Sequence, residues 1–276
     1  MALRLAQLFD VSGAFVPTKA SIYLKRIGEN SSSYFDLDSD ASIDATNFSS
    51  LTQGYNKIVL DDEVAGYTGN GYMRVQSTTA GNSWPVIKFP VKTTTPDGFH
   101  LYIRGRSSSG QFNADILIGG VRVAQISEVA AGTWEWFSSS FTLADTELNT
   151  LEIRVEEDIA LLDKIYISTT AAVPTGEGAA FTGSPYLTAH LQVYESNGNE
   201  PTNPLFIYSY KNSLSDITID DWYDFALTGL DDSAALTFDN SYSLVFTTSG
   251  GTNENFIVWE LVDNDEYLLL PSAIKV

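Results

Sequence analysis

Between residues 57 and 168 the chain breaks into short runs of alternating apolar and polar residues, separated by turn formers. The runs are Lys57–Leu60, Tyr72–Gln76, Val86–Val91, Phe99–Arg104, Asp115–Ile118, Val121–Ile126, Trp134–Phe141, Leu151–Val155 and Lys164–Ser168. A period of two marks strands with one buried face. In Phe99-His-Leu-Tyr-Ile-Arg the odd positions are expected in a core and the even ones in water. Gly119-Gly120, between two runs, is a hairpin signal. No stretch shows the period of an amphipathic helix. Many short strands with turns every ~8–12 residues specify a β-sandwich or jelly roll, so the fold class is all-β.

A further β series follows, with Leu187–Tyr194, Leu205–Tyr210, Trp222–Leu227, Ser243–Thr247 and Phe256–Leu261. Residues 3–9 and 20–27 read as two strands around a Ser12-Gly13 turn. Two strands cannot stand alone in water, so they need a partner elsewhere in the chain. Residues 29–51 are rich in Ser, Asp and Asn, and residues 169–185 in small residues, Pro and Gly. The expected organisation is two jelly-roll or β-sandwich domains, one inserted into the other. The outer, anchoring domain is 1–28 with 186–276, the insert is 52–168, and 29–51 and 169–185 are linkers that let the insert tilt. The alternative is an N-terminal arm followed by two tandem domains.

The chain has 276 residues, with 35 acidic against 15 basic side chains and a net charge of −20. That charge disfavours nucleic acid, whose phosphates need Lys and Arg, and equally an anionic membrane surface. No apolar run approaches the length of a membrane span. Met1–Phe9 has no long apolar core or cleavage site, so Sec export is not expected. With no Cys, there is neither a disulfide nor a thiolate metal site. There is no Gly-x-Ser-x-Gly elbow, and no His cluster with catalytic metal spacing. Gly66-x-x-Gly69-x-Gly71 reverses the dinucleotide spacing and reads as a turn. His100 and His190 fall within strands. The chain is therefore not expected to be an enzyme; a glycosidase carboxylate pair is the catalytic alternative.

Two carboxylates break the pattern. Leu151, Ile153 and Val155 share a parity that Glu157 continues, and Ile165 and Ile167 share one that Asp163 continues. A buried carboxylate is costly unless it is paired, hydrogen-bonded or bound to a metal.

Several pieces carry a resemblance. They are Val59-Leu-Asp-Asp-Glu, Gly66-Tyr-Thr-Gly-Asn-Gly-Tyr-Met, Pro96-Asp-Gly-Phe-His-Leu-Tyr-Ile-Arg, Trp134-Glu-Trp and the closing Glu157-Asp-Ile-Ala-Leu-Leu-Asp-Lys-Ile. In order and spacing, residues 57–168 resemble the galactose-binding-like jelly roll of family 6 and family 35 carbohydrate-binding modules. The resemblance implies a structural Ca²⁺ held by acidic residues of the opening and closing strands. The matching positions are Asp62, which shares parity with Ile58 and Leu60, and Asp163 on the last strand, with Glu157 as a third ligand; Ca²⁺ takes six to eight oxygens. The bland reading is that Asp163 caps a turn or pairs with Arg154 or Lys164. The resemblance also implies a sugar site in the loops at one sandwich edge. Tyr67, Trp84 and Trp134 match as stacking rings, with Asn70, Asn82 or Asn113 as polar partners; core packing is the alternative for each Trp. Ile159-Ala-Leu-Leu stands where the family tends to place an asparagine.

A second resemblance is split along the chain. Leu5-Ala-Gln-Leu-Phe and Ser21-Ile-Tyr-Leu-Lys-Arg-Ile-Gly look like the start of a β-sandwich of bacterial and phage surface proteins. Its later pieces come only after residue 186, as Thr188-Ala-His-Leu-Gln-Val-Tyr, Trp222-Tyr-Asp-Phe-Ala-Leu and the run Leu236–Phe246. Together these features lead to the expectation of a non-enzymatic structural protein of a tailed-phage virion: a capsid decoration protein, head fibre or tail appendage. Its partners would be other virion proteins and cell-surface glycans, with the chain homo-oligomeric or present in many copies. A bacterial extracellular polysaccharide-binding module is the alternative.

Overall fold

The computed structural model describes residues 4–10, 17, 19–30, 32–76, 83–157, 159–197, 200–227, 236, 240–250, 256–259 and 274–275. Every regular element among them is a β-strand, and no helix among them is long and apolar enough to cross a membrane. The chain divides into two units, Met1–Asn30 with Leu187–Val276, and Ser31–Tyr186. The first unit opens with β1 (Arg4–Asp10) and β2 (Lys19–Ile27).

The second unit starts with β3 (Phe35–Asp36), β4 (Ala41–Asp44), β5 (Ser50–Thr52), β6 (Lys57–Asp61) and β7 (Tyr72–Gln76). It continues with β8 (Val86–Lys92), β9 (Asp97–Ser107), β10 (Gln111–Ile118), β11 (Val121–Val129) and β12 (Glu135–Leu143). β13 (Asn149–Val155) and β14 (Ala160–Ser168) close it. One six-stranded sheet has the order β11-β10-β13-β8-β3, with β5 also on β8. The other has the order β12-β9-β14-β7-β6, with β4 also on β14.

Alternation explains the core. Leu151, Ile153 and Val155 of β13 are buried, as are Phe99, Leu101 and Ile103 of β9. Phe112 of β10 stacks flat on Phe137 of β12, with centroids 4.1 Å apart, and so ties one sheet to the other. Each such side chain contributes about 1.5–3 kcal/mol when removed from water. The β10–β11 hairpin turns on Gly119 and Gly120, both at positive φ (56° and 83°), which a tight two-residue turn requires and which glycine adopts without strain.

Alternation fails in three places. Tyr102 and Arg104, expected in water, are buried, because Gly66 and Trp134 lie against Arg104 and Tyr166 lies against Tyr102. Residues 29–51, expected as a linker, hold β3, β4 and β5, and Phe35, Leu37, Ile43 and Phe48 are core residues. The polar composition hid strands too short to show a period. Residues 169–185 carry no strand but are not a free linker. Ser42 and Thr182 exchange backbone and hydroxyl bonds (2.6–2.9 Å), and the Lys164 ammonium donates to the carbonyls of Glu177 and Ala179. The segment is a strap fastened along β4 and β14.

The first unit resumes with β15 (Leu187–Asn197), β16 (Glu200–Asn212), β17 (Asp221–Ala226), β18 (Ser241–Gly250), β19 (Phe256–Trp259) and β20 (Ile274–Lys275). Its sheets are β1-β18-β15-β16 and β17-β2-β19, with β20 also on β2. β1 pairs with β18, from Arg4 opposite Thr247 to Asp10 opposite Ser241, and β2 with β17. The two N-terminal strands thus find their partners at the far end of the chain. Ile22, Leu24, Leu191, Val193, Phe225 and Phe246 lie in one core cluster.

Candidate functional site

The loop between β6 and β7, residues 62–71, gathers most of the sequence-predicted rings. Tyr67 meets Tyr72 edge-on at 5.6 Å, and Tyr72 meets Trp134 edge-on at 5.4 Å. Tyr72 is fully buried, while Tyr67 and Trp134 are half-buried. Tyr72 is therefore the foundation, and the other two keep surface in water. The Trp134 indole N–H donates to the Ala65 carbonyl (2.9 Å), and the Arg104 guanidinium lies 5.4 Å over its ring. A cation held there fixes the indole plane by its attraction to the ring face. Gly66 sits against the same indole, where a Cβ would come within 3.0 Å of the ring.

Asp163 holds this loop from below. It is 0 % exposed and accepts the Thr68 amide (2.7 Å), the Thr68 hydroxyl (3.0 Å) and the Arg104 guanidinium. Arg104 also donates to the Gly66 carbonyl (3.0 Å). Asp163 falls at the irregularity between Leu162 and Lys164 where β14 pairs with β9, so simple parity does not place it. Burial raises its carboxyl, and the Thr68 and Arg104 bonds oppose the rise. Beside it stands Asp44, at the end of β4, which accepts the amide and hydroxyl of Thr46 (2.8 and 2.6 Å). Burial lifts Asp44 to about 7; Asp163 adds to the rise, while Thr46 and Lys164 counter it. Nothing in the alternation singled out Asp44, because its role depends on β4 pairing with β14 across a long loop.

The expected calcium ligands are not brought together. Among the described residues no three His, Cys, Asp or Glu side chains form a group that could hold a metal. Asp163 is committed to Arg104 and Thr68. Glu157 lies past the end of β13, half-buried, and accepts from Asn113 (2.7 Å). The inward carboxylate of β6 is Asp61, not Asp62; it is buried and paired with Arg74 at 2.9 Å, and Asp62 is half-buried beyond the strand. β6 is buried on both faces, so its parity does not tell inside from outside. These residues do not fit the metal that the resemblance implies. The buried aspartates are paired with arginine, Arg104 for Asp163, Arg74 for Asp61, and Arg154 with Arg122 for Asp115, whereas the half-buried Glu157 accepts from an amide.

The remaining predicted residues scatter. Asn70 lies in the loop with Tyr67, half-buried. Asn113 is on the opposite sheet, where it bonds Glu157 and Ser127. Trp84 is half-buried just before β8 and is not part of the Tyr67–Tyr72–Trp134 group. Asn82 lies outside the described residues. Trp136 packs under the strap, donating to the Gly176 carbonyl (3.0 Å) with Gly178 against its ring.

This arrangement offers aromatic surface and backbone polar groups at a loop edge, and carboxylates that are already engaged. A glycosidase needs a carboxyl that reaches the scissile oxygen, and Asp163 is sealed from solvent. His190 meets the hydroxyls of Tyr208 (2.8 Å) and Ser249 (2.9 Å), but all three are buried, so no substrate reaches them as they stand.

No protein-family model matches the sequence, and no curated protein matches it. Among solved structures the chain is similar to the GH26-CBM35 β-(1,4)-mannanase of Podospora anserina at 23% identity, over 50% of this chain and 29% of that one, with a TM-score of 0.39. It is also similar to a family 35 carbohydrate binding module from Clostridium thermocellum (16% identity, 48% of this chain and 99% of that one, TM-score 0.39). A third is the carbohydrate binding module CBM6cm-2 of Cellvibrio mixtus lichenase 5A, in complex with cellotriose (17% identity, 47% and 97%, TM-score 0.36). The second and third are modules of family 35 and family 6, and the chain spans 29% of the length of the mannanase.

Proposed function

We propose that this protein binds a glycan, without cleaving it, at the loop edge formed by Tyr67, Asn70 and Trp134. The observation that carries the proposal is the aromatic group itself. A buried Tyr72 supports two half-exposed rings, and Arg104, Asp163 and Thr68 lock the loop between them. Sugars present apolar C–H faces to such rings, and a pre-organised platform loses little entropy on binding. A glycan array with the full chain, and with Tyr67→Ala and Trp134→Ala, tests it. Loss of each ring should weaken binding by about tenfold, or about 1.4 kcal/mol. No binding to any glycan by the unmodified protein removes the proposal.

The carrier we propose is a tailed-phage virion, in which the first unit anchors the chain in many copies and the second presents the glycan site. The split β-sandwich pattern of the first unit supports this reading. Recovery at fixed copy number in purified virions is the expected result. Absence from virions assigns the chain to the bacterial extracellular alternative.

A further inference from the structure

We infer that the glycan site does not end at the Tyr67 loop but continues onto the strap, with Phe181 as a second stacking ring, so that the site selects an oligosaccharide over a single sugar. The inference rests on the reading of Tyr67 and Trp134 as a sugar platform. Phe181 belongs to the segment 169–185, outside the stretch that resembles a binding module, and no sequence signal marked it.

Three observations place it at the site. Gly69, two residues beyond Tyr67, is exposed and sits at φ +73°. A Cβ on Gly69 would come within 3.1 Å of the Phe181 ring and 2.7 Å of the Asp44 carboxylate. Glycine therefore lets the loop and the strap meet, with no side chain at position 69 between them. Second, Phe181 is half-buried, and the Lys164 ammonium lies 4.4 Å from its ring centre. Lys164 is buried, so it supports the ring from the protein side and leaves the ring's exposed surface towards water. Third, the strap is fastened on both sides of Phe181, by Ala179 to Lys164 and by Thr182 to Ser42. A ring held in this way loses little freedom when a sugar stacks on it, which is what a binding platform needs. Joined through the bare backbone of Gly69, the loop of Tyr67 and the strap of Phe181 are the surface that we assign to more than one sugar residue.

The test compares disaccharides and hexasaccharides of the β-1,4-gluco, manno and xylo series by calorimetry, using the full chain. Phe181→Leu should weaken hexasaccharide binding by roughly tenfold and leave the disaccharide within about twofold, since a stacked ring contributes on the order of one tenfold step. Phe181→Tyr, which keeps the ring, should restore the hexasaccharide affinity. A merely structural role for Phe181 would lower both affinities together and would not depend on the ring. An unchanged preference for hexasaccharide in Phe181→Leu, with Trp134→Ala still weakening binding by about tenfold, overturns this inference alone. Failure of the unmodified protein to bind any member of the series overturns this inference, and failure on the glycan array as well overturns the platform on which it rests.

Discussion

Asp44 gives the sharpest test of the electrostatics under the site. Its carboxyl rises from 3.8 to about 7, chiefly through burial. A group that binds its proton more tightly when folded stabilises the fold while it is protonated. The contribution is full below the unfolded value, fades as pH rises from about 4 to about 7, and is gone above that. The shift spans about three pH units, and each is worth about 1.4 kcal/mol, so the upper limit is about 4 kcal/mol. Asp44 still keeps part of its surface in water, and solvent screening reduces this to roughly 2 kcal/mol. Asparagine keeps an acceptor for Thr46 and cannot ionise. Asp44→Asn should therefore gain about 2 kcal/mol over the wild type between about pH 4 and pH 8. Urea unfolding followed by tryptophan fluorescence reads it, since Trp84, Trp134 and Trp136 lie in the second unit. If the stability–pH curves of wild type and Asp44→Asn run parallel, the burial argument is wrong.

Three further outcomes follow from the same contacts. Asp163→Ala leaves Arg104 buried without its counter-charge and should cost about 3–5 kcal/mol, measured by denaturant midpoint; a loss below about 1 kcal/mol would show that the pair is solvated. Ile159 is a β-branched residue at φ +55° and is 45% exposed, so Ile159→Asn should stabilise by about 1 kcal/mol, seen as a Tm rise of roughly 2–4 °C, because asparagine tolerates that backbone; a fall in Tm would mean that the isoleucine makes a contact worth more than its strain. Chelation of divalent cations should leave the unfolding transition where it is, because arginine and threonine already occupy the Asp163 oxygens; a drop reversed by added calcium would restore the metal reading.

Much of the architecture was legible in the chain itself. Period-two runs such as Leu151–Val155 become strands with the expected faces inward, because one buried face is what such a run can satisfy. The places of Tyr67 and Trp134 at loop–strand junctions were legible too, and both rings keep surface in water. The strands over residues 35–52 were not, since two to four residues amid Ser and Asp show no period. Parity misplaced Asp62 and Glu157 because it holds only within a strand that has one wet face. β6 is buried on both sides, and Glu157 stands past the end of β13.

The sequence by itself determined an all-β chain, the positions of most strands, and the presence of carboxylates where apolar residues were expected. Those follow from local periodicity and from the cost of burying charge, which need no knowledge of distant neighbours. Only the tertiary structure decided what neutralises those carboxylates. Arg104 reaches Asp163 across fifty-nine residues of chain, and the choice between an arginine and a calcium ion is a choice of long-range partner. It also decided that the segment 169–185 is a strap rather than a tether, because backbone carbonyls and a lone Phe181 gain their meaning only against Lys164, Ser42 and Gly69. Long-range pairing of this kind leaves no period in the sequence, so it becomes visible only when the sheets are assembled.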